Sequence, residues 1–307
     1  MKKILMLFIG AYLMLAGSLC AAETQNIQIF SADNSKGAIS AKSIEKAFNA
    51  SGNIFVDVNN DMNSIFSKRY GKVHHKNYNL AIFTNSKLVL KLMDKYPSIG
   101  LITPLSMSIY ENAAKKSINI STLSLAGMAR VTKIPVTDPD LIAYSKSLDT
   151  VLHKALPNGK YLSVNHNIKS SKPLTTEFTM EFELEDGVSY SDLKDEFKEE
   201  FESELAPVGF LIPKSYKLEH SDYDFFDTYS IIRFNAIYPV SKNHPDAGAY
   251  APFSLVIYKK KDEESVHIGF PSIDNWISDL DITDKKTIQA VRETHDMIKG
   301  ILEELTE

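Results

Sequence analysis

Pro245-Asp246-Ala247-Gly248-Ala249-Tyr250-Ala251-Pro252-Phe253-Ser254-Leu255-Val256-Ile257-Tyr258 has a counterpart 148 residues earlier, Pro97-Ser98-Ile99-Gly100-Leu101-Ile102-Thr103-Pro104-Leu105-Ser106-Met107-Ser108-Ile109-Tyr110. Pro, Gly, Pro, Ser, Ile and Tyr recur in register. Each stretch reads as a Gly/Pro turn that delivers an alternating strand. The register continues at Ile118 and Ile120 against Val266 and Ile268, then shifts by two where Thr137-Asp138 matches Thr283-Asp284. Such spacing describes two copies of one supersecondary unit.

A chain of 307 residues has room for two cores. Its first 22 residues read as a secretory leader: Lys2 and Lys3, an apolar run from Ile4 to Leu15, then small residues approaching Cys20-Ala21-Ala22. The run is short for an uncleaved anchor, which needs ~20 residues. A lipoprotein reading of Cys20 conflicts with Leu19, where processing requires a smaller residue. Cleavage before Glu23 removes the single cysteine, so the exported chain has no disulfide, thiolate nucleophile or cysteine metal ligand. Without the leader's two lysines, 32 basic residues face 39 acidic ones, a formal −7. No basic tract is evident, which argues against nucleic acid, and no second apolar segment would insert into a membrane after cleavage. The expected location is the periplasm.

Outward from the repeated stretch, residues 23–39 read as a flexible N-terminal segment and 40–157 as the first domain. Its helices start at Ser40, Asp61, Asn85 and at Thr137 or Asp138. Ile54 to Val58, Tyr78 to Phe83, Leu105 to Tyr110 and Ile118 to Leu123 read as strands. Residues 158–175 read as a connection and 176–307 as the second domain. There Leu193, Phe197, Phe201 and Leu205 give an acidic helix one apolar side, with Asp192, Asp195, Glu199 and Glu202 solvated opposite. Asn235 to His244 reads as a connecting loop, three residues shorter than its counterpart.

Three features invite a metal or catalytic reading. His74-His75 lacks a third ligand at metal-site spacing and reads as a solvated loop. His220 to Asp227 is acidic and aromatic but lacks the EF-hand spacing and its central Gly, so it also reads as a loop. His295 interrupts the apolar stripe Ile288, Val291, Ile298, Leu302 and Leu305, and reads as a core-edge histidine with a local partner. No Gly-x-Gly-x-x-Gly, P-loop or haem-attachment motif is present, and no cofactor is expected.

The second copy carries Phe234-Asn235-Ala236, Asn243-His244-Pro245-Asp246-Ala247-Gly248 and Pro252 through Tyr258. The first carries Phe83-Thr84-Asn85, Tyr96-Pro97-Ser98-Ile99-Gly100 and Pro104 through Tyr110. On these residues the chain resembles the DUF302 family, over roughly Ile44 to Leu156 and Thr176 to Leu305, with the first copy the more divergent. The resemblance implies an α+β fold of two tandem domains, each with helices packed on a mainly antiparallel sheet. It also implies a dimer-like pairing of the copies, and it carries across no catalytic residue.

The functional expectation is an exported, non-enzymatic protein that binds a small ligand or serves as an accessory. Tyr238, Lys242, His244, Asp246 and Tyr250 are the candidate ligand-binding residues. They combine aromatic surface, a cation and an imidazole in one connected loop, suited to a small polar or anionic ligand. The first copy offers Lys95, Tyr96 and Ser98 there, without a histidine. One alternative is a cell-envelope hydrolase or acid–base enzyme using His244 with Asp246 or Asp227, although Ser241 lacks a nucleophile elbow. Another is a structural module that self-associates or docks on an envelope protein, through the acidic helix and the terminal helix.

Overall fold

The computed structural model describes residues 25–50, 54–59, 61–112, 114, 116–164, 173–182, 184 and 186–306. The leader read over residues 1–22 lies outside them. The first half runs β1 (Ile27–Asp33), α1 (Ala41–Asn49), β2 (Ile54–Asn59), α2 (Met62–Tyr70), β3 (Tyr78–Asn85) and α3 (Ser86–Met93). A 3₁₀ turn (Pro97–Ile102) then leads to β4 (Leu105–Asn112), β5 (Ser117–Leu123), α4 (Leu125–Thr132), α5 (Pro139–Ala155) and β6 (Lys160–Tyr161). The second half runs β7 (Thr175–Glu181), α6 (Tyr190–Leu205), β8 (Phe210–Lys217), β9 (Tyr223–Arg233) and α7 (Phe234–Asn243). A second 3₁₀ turn (Pro245–Ala249) is followed by β10 (Phe253–Lys260), β11 (Ser265–Pro271), α8 (Ile273–Asp279) and α9 (Lys285–Thr306).

Local chemistry explains the helix starts. Ser40 and Ser43 form a reciprocal capping box for α1, and Ser189 with Asp192 does the same for α6. Asp138 accepts from the Asp140 and Leu141 amides, with Pro139 in the first turn of α5. Asp284 receives the Thr287 amide at 2.8 Å before α9. Ser124 and Ser272 cap α4 and α8 at matching positions.

Both sheets are antiparallel and share one strand order, β2-β3-β4-β5-β1 in the first half and β8-β9-β10-β11-β7 in the second. This is the α+β architecture of two similarly built regions. The short β6 pairs with β1 in the first sheet, although it falls in the stretch read as a connection. The segment read as flexible, 23–39, contains β1, which pairs with β5 from Ile27 to Asp33. Its burial on both faces removes the alternation that would have revealed it. Tyr78 pairs with Tyr110 and Phe226 with Tyr258, so the 148-residue offset holds from β3 to β4. The second half is therefore not three residues shorter there, and Asn235 to Asn243 belongs to a helix. Pro239 lies inside α7, where a proline forfeits one backbone bond.

The two halves meet through reciprocal contacts. Ser106 donates to the Pro252 carbonyl and Ser254 to the Pro104 carbonyl. His75 Nε2 lies 2.6 Å from the Ser241 carbonyl, and at the matching position the Tyr223 hydroxyl donates to the Met93 carbonyl at 2.9 Å. A Cβ on Gly100 would overlap Val256, and one on Gly248 would overlap Ser108. Each 3₁₀ turn thus seats on the other half's sheet, and the bare glycines permit the close approach. Peptide bonds Thr103–Pro104 and Ala251–Pro252 are both cis.

One core fills the first half and continues through this seam, taking in Phe226, Ile232 and Val256. A second core lies between the opposite face of the second sheet and helices α6 and α9, around Phe201, Tyr229, Ile257 and Leu302. Burial at roughly 25 cal/mol per Å² of apolar surface makes the seam as much a part of the fold as either core.

Candidate functional site

The five residues expected to share one open loop are dispersed. Tyr238 and Lys242 are on α7, and His244 ends that helix. Asp246 and Tyr250 are buried at 7% and 3% exposure. The Tyr238 ring stacks on Tyr70 at 3.9 Å and on His74 at 4.4 Å, covered by the α2 region of the first half. Lys242 is exposed and His244 half-buried. The Asp246 carbonyl accepts from Ser121 Oγ at 2.8 Å. Burial first, and then the Asp246 charge, pushes the Tyr78 and Tyr110 hydroxyls well above their ordinary pKa.

Tyr250 enters a buried network across the seam. Its hydroxyl donates to Asp279, whose carboxylate also receives Asn26 Nδ2 at 2.9 and 2.7 Å. Arg130 donates to Asn26 Oδ1 from the first half. Packing, rather than ligand access, accounts for both Asp246 and Tyr250. The turn that looked like a working surface is the docking element.

His74-His75 lies in a loop, as read, but not in a fully solvated one. Both residues are half-buried against α7, and burial, followed by the His75 and Lys242 charges, lowers the His74 pKa. The His220–Asp227 stretch is only partly loop, because β9 begins at Tyr223. His220 and Asp222 instead join Asp94 of the first half, one ligand atom from each lying within 4.8 Å of the others. His220 Nε2 sits 2.6 Å from Asp94, and the trio faces solvent.

Sequence reasoning also missed a buried charge cluster. Lys194 and Lys198 point inward from α6, at 4% and 9% exposure. Lys198 donates to Asp227 at 2.6 Å, with Lys194 3.7 Å from the same carboxylate. The partner is far along the chain, so helix periodicity alone gives no sign of it.

The best-formed pocket is in the second half, between its sheet and helices α7, α8 and α9. It spans about 470 Å³ of non-atom space, open solvent at its mouth included, of which about 40 Å³ is cavity proper. Ile231, Ile237, Phe253, Phe270, Trp276 and Ile298 make an apolar wall. Arg233, Thr294 and His295 supply its polar groups. Arg233 is fixed at the end of β9 by donating Nε to the Val208 carbonyl at 3.0 Å and a terminal nitrogen to Thr294 Oγ1 at 3.1 Å. Among the described residues no carboxylate pairs with its guanidinium, which stands 5.9 Å from the centre of the Phe210 ring beside apolar surface. His295 stands 3.4 Å from Thr176 Oγ1 and 5.5 Å from the Phe270 ring, and burial lowers its pKa.

The first half fills the corresponding space. Leu88 stands at the position of Ala236, and, counting from the caps Asp138 and Asp284, Tyr144 and Leu148 stand at those of Ala290 and Thr294. Tyr144 is fully buried, its ring 5.5 Å from that of Phe83. One half is therefore plugged where the other is hollow.

Residues 31–155 match the family model described as "Domain of unknown function DUF302". That stretch is a DUF302-like domain. The DUF302 match covers the half that looked the more divergent in sequence, and it begins inside β1, which sequence reasoning had set aside. The second half is a sheet domain of similar topology. The solved structure of an uncharacterized conserved DUF302 protein from Bacillus stearothermophilus is similar to part of the chain. It has 13% identity and a TM-score of 0.34, covering 44% of this chain and 98% of that one. No curated protein matches the chain. Among the described residues no helix is long and apolar enough to cross a membrane.

Proposed function

We propose that this chain is a non-enzymatic binding or accessory protein, exported to the periplasm, that holds a small amphipathic anion in the second half. The observation that carries this reading is Arg233, a cation without a carboxylate partner at the edge of an apolar pocket. An apolar ligand body would lie against Phe253, Phe270 and Trp276, with its anionic head hydrogen-bonded to the guanidinium. A neutral His295 would leave the pocket's charge to Arg233 alone. The leader-like first 22 residues support export.

Trp276 is the only tryptophan of the chain and lines the pocket, so its fluorescence reports occupancy. Titration with octanoate is expected to give a saturable change, with octanol binding at least about tenfold more weakly because it lacks the charge. Ala236→Leu with Thr294→Leu, which installs the first half's residues, should abolish the change and leave the fold intact. Equal binding of octanol and octanoate, or an unaltered titration in the filled variant, would overturn the reading.

A further inference from the structure

Asp94, His220 and Asp222 meet at one corner of the seam. Asp94 ends α3 in the first half, while His220 and Asp222 lead into β9 in the second. One ligand atom from each lies within 4.8 Å of the others. His220 donates Nε2–H to Asp94 at 2.6 Å, and its side chain is only 11% exposed. Among the described residues no lysine or arginine pairs with either carboxylate. Asp94 also works against its own helix, because a carboxylate at a helix C-terminus meets the negative end of the dipole.

The counterpart corner shows that the fold does not require these charges. His75 and Tyr223 mark the correspondence, since they meet the Ser241 and Met93 carbonyls respectively. At the same offset of 148 residues, Lys72, His74 and Lys242 hold the places of His220, Asp222 and Asp94. After burial and His75, the Lys242 and Lys72 charges lower the His74 pKa, so this trio also assembles across the seam. Lys242 lies in the last turn of α7, where the dipole favours a cation. One corner therefore gathers two cations and the other two anions on the same architecture. A structural role common to both would not survive that reversal of charge.

We infer that Asp94, His220 and Asp222 form a binding site for a divalent transition-metal ion of the zinc class, which clasps the two halves together. A cation between the two carboxylates relieves both their mutual repulsion and the clash with the α3 dipole. An imidazole nitrogen with two carboxylate oxygens suits zinc, and water fills the fourth position of its tetrahedron. Magnesium and calcium take oxygen ligands and gain nothing from His220. Bonds of about 2.0–2.2 Å set tetrahedral donors roughly 3.5 Å apart. The Asp94–His220 pair opens slightly to admit the ion, and both aspartates are exposed and can turn to meet it. The Nε2 proton then moves to Nδ1, and the long 3.3 Å contact from the Asp222 amide gives way.

The probe is zinc itself, titrated calorimetrically into the full chain after EDTA has stripped any carried metal, with magnesium and calcium as controls. One tight zinc per chain is expected, with a rise in melting temperature because the ion binds only the folded seam. Asp94→Asn, Asp222→Asn and His220→Ala should each weaken zinc at least about tenfold. His153→Ala should not, although His153 forms an exposed pair of its own with Asp149. Cobalt(II) gives a second reading, an intense visible band from a tetrahedral site that His220→Ala removes. Circular dichroism confirms that each variant is folded. Undiminished zinc binding when Asp94→Asn and His220→Ala are combined would overturn the inference. So would calcium or magnesium binding as tightly as zinc, or no uptake at millimolar zinc. The corner shares no residue with the octanoate pocket, so the two readings stand or fall separately.

Discussion

Ser106 and Ser254 hold matching places on β4 and β10, and each donates its hydroxyl to a proline carbonyl of the opposite half. Both are buried, at 5% and 3% exposure. The pairing brings the two Gly/Pro turns together, so the residues that make the sequence look repetitive are the ones that join the halves. Their recurrence reflects a shared contact and does not mark two ligand loops.

The seam should respond unequally to its two glycines. A Cβ on Gly248 would stand 2.7 Å from Ser108 N and 2.8 Å from Ser108 Cα, where only backbone movement gives relief. On Gly100 the nearest atoms are Val256 Cγ2, which rotation can move, and Val256 Cβ at 2.7 Å, one backbone-tied atom against the three of Ser108. Gly248→Ala is expected to destabilise by about 1–3 kcal/mol more than Gly100→Ala. Urea unfolding midpoints of the two variants measure the difference, and equal midpoints would contradict it.

Tyr250→Phe removes a donor from the fully buried Asp279 carboxylate. A loss of about 1.5–3 kcal/mol is expected, as for a hydrogen bond to a charged group. Octanoate affinity should be unchanged, because Tyr250 is absent from the pocket wall. Loss of octanoate binding with unaltered stability would restore Tyr250 to a ligand role.

Asp227→Asn would leave Lys194 and Lys198 buried without their shared counter-charge. Removing one partner from a buried ion pair costs about 3–5 kcal/mol. Lys198→Met should cost less, since Lys194 remains beside the carboxylate and the methionine chain fits the apolar surroundings. Denaturation of the two variants side by side reads the asymmetry.

Burial holds the His295 pKa below its ordinary 6.5, and burial with the neighbouring cations does the same for His74. An unfolded chain takes up these protons near pH 6.5, whereas the folded one resists them. Stability is therefore expected to be fully present above pH 6.5 and to decline as pH falls through the folded pKa values. The lowered carboxyls, Glu177 and Glu263 among them, lie below their ordinary 4.5 and act in a more acid range. Urea midpoints between pH 8 and 5 should fall, and His295→Gln should flatten the slope. A rise with acidification would contradict the assignment.

The sequence showed the turns, the β10–β11 hairpin, the caps at Ser40 and Asp138 and the α+β character, because those signals are local. Residues 27–33 were illegible because Ser31 and Ala32 are buried on a strand that lacks alternation. α7 was hidden by Pro239, which reads as a breaker although the helix continues through it. The pocket escaped notice for a different reason. Arg233, Trp276 and His295 lie on separate elements, and what opens the space is the small size of Ala236 and Thr294, a signal visible only once each is set beside its first-half counterpart. Aligned helix caps, rather than aligned motifs, would have exposed it.

The filling by Tyr144 and Leu148 in one half and the hollow beside Ala236 and Thr294 in the other show what a single chain permits. Two identical subunits meeting at such a seam would carry every substitution twice, so a bulky ring that steadies one would close the other. With both halves on one chain, that constraint lapses. One partner can become solid and supply rigidity, while the other gives up side-chain volume for room. A division of labour of this kind needs only the covalent link.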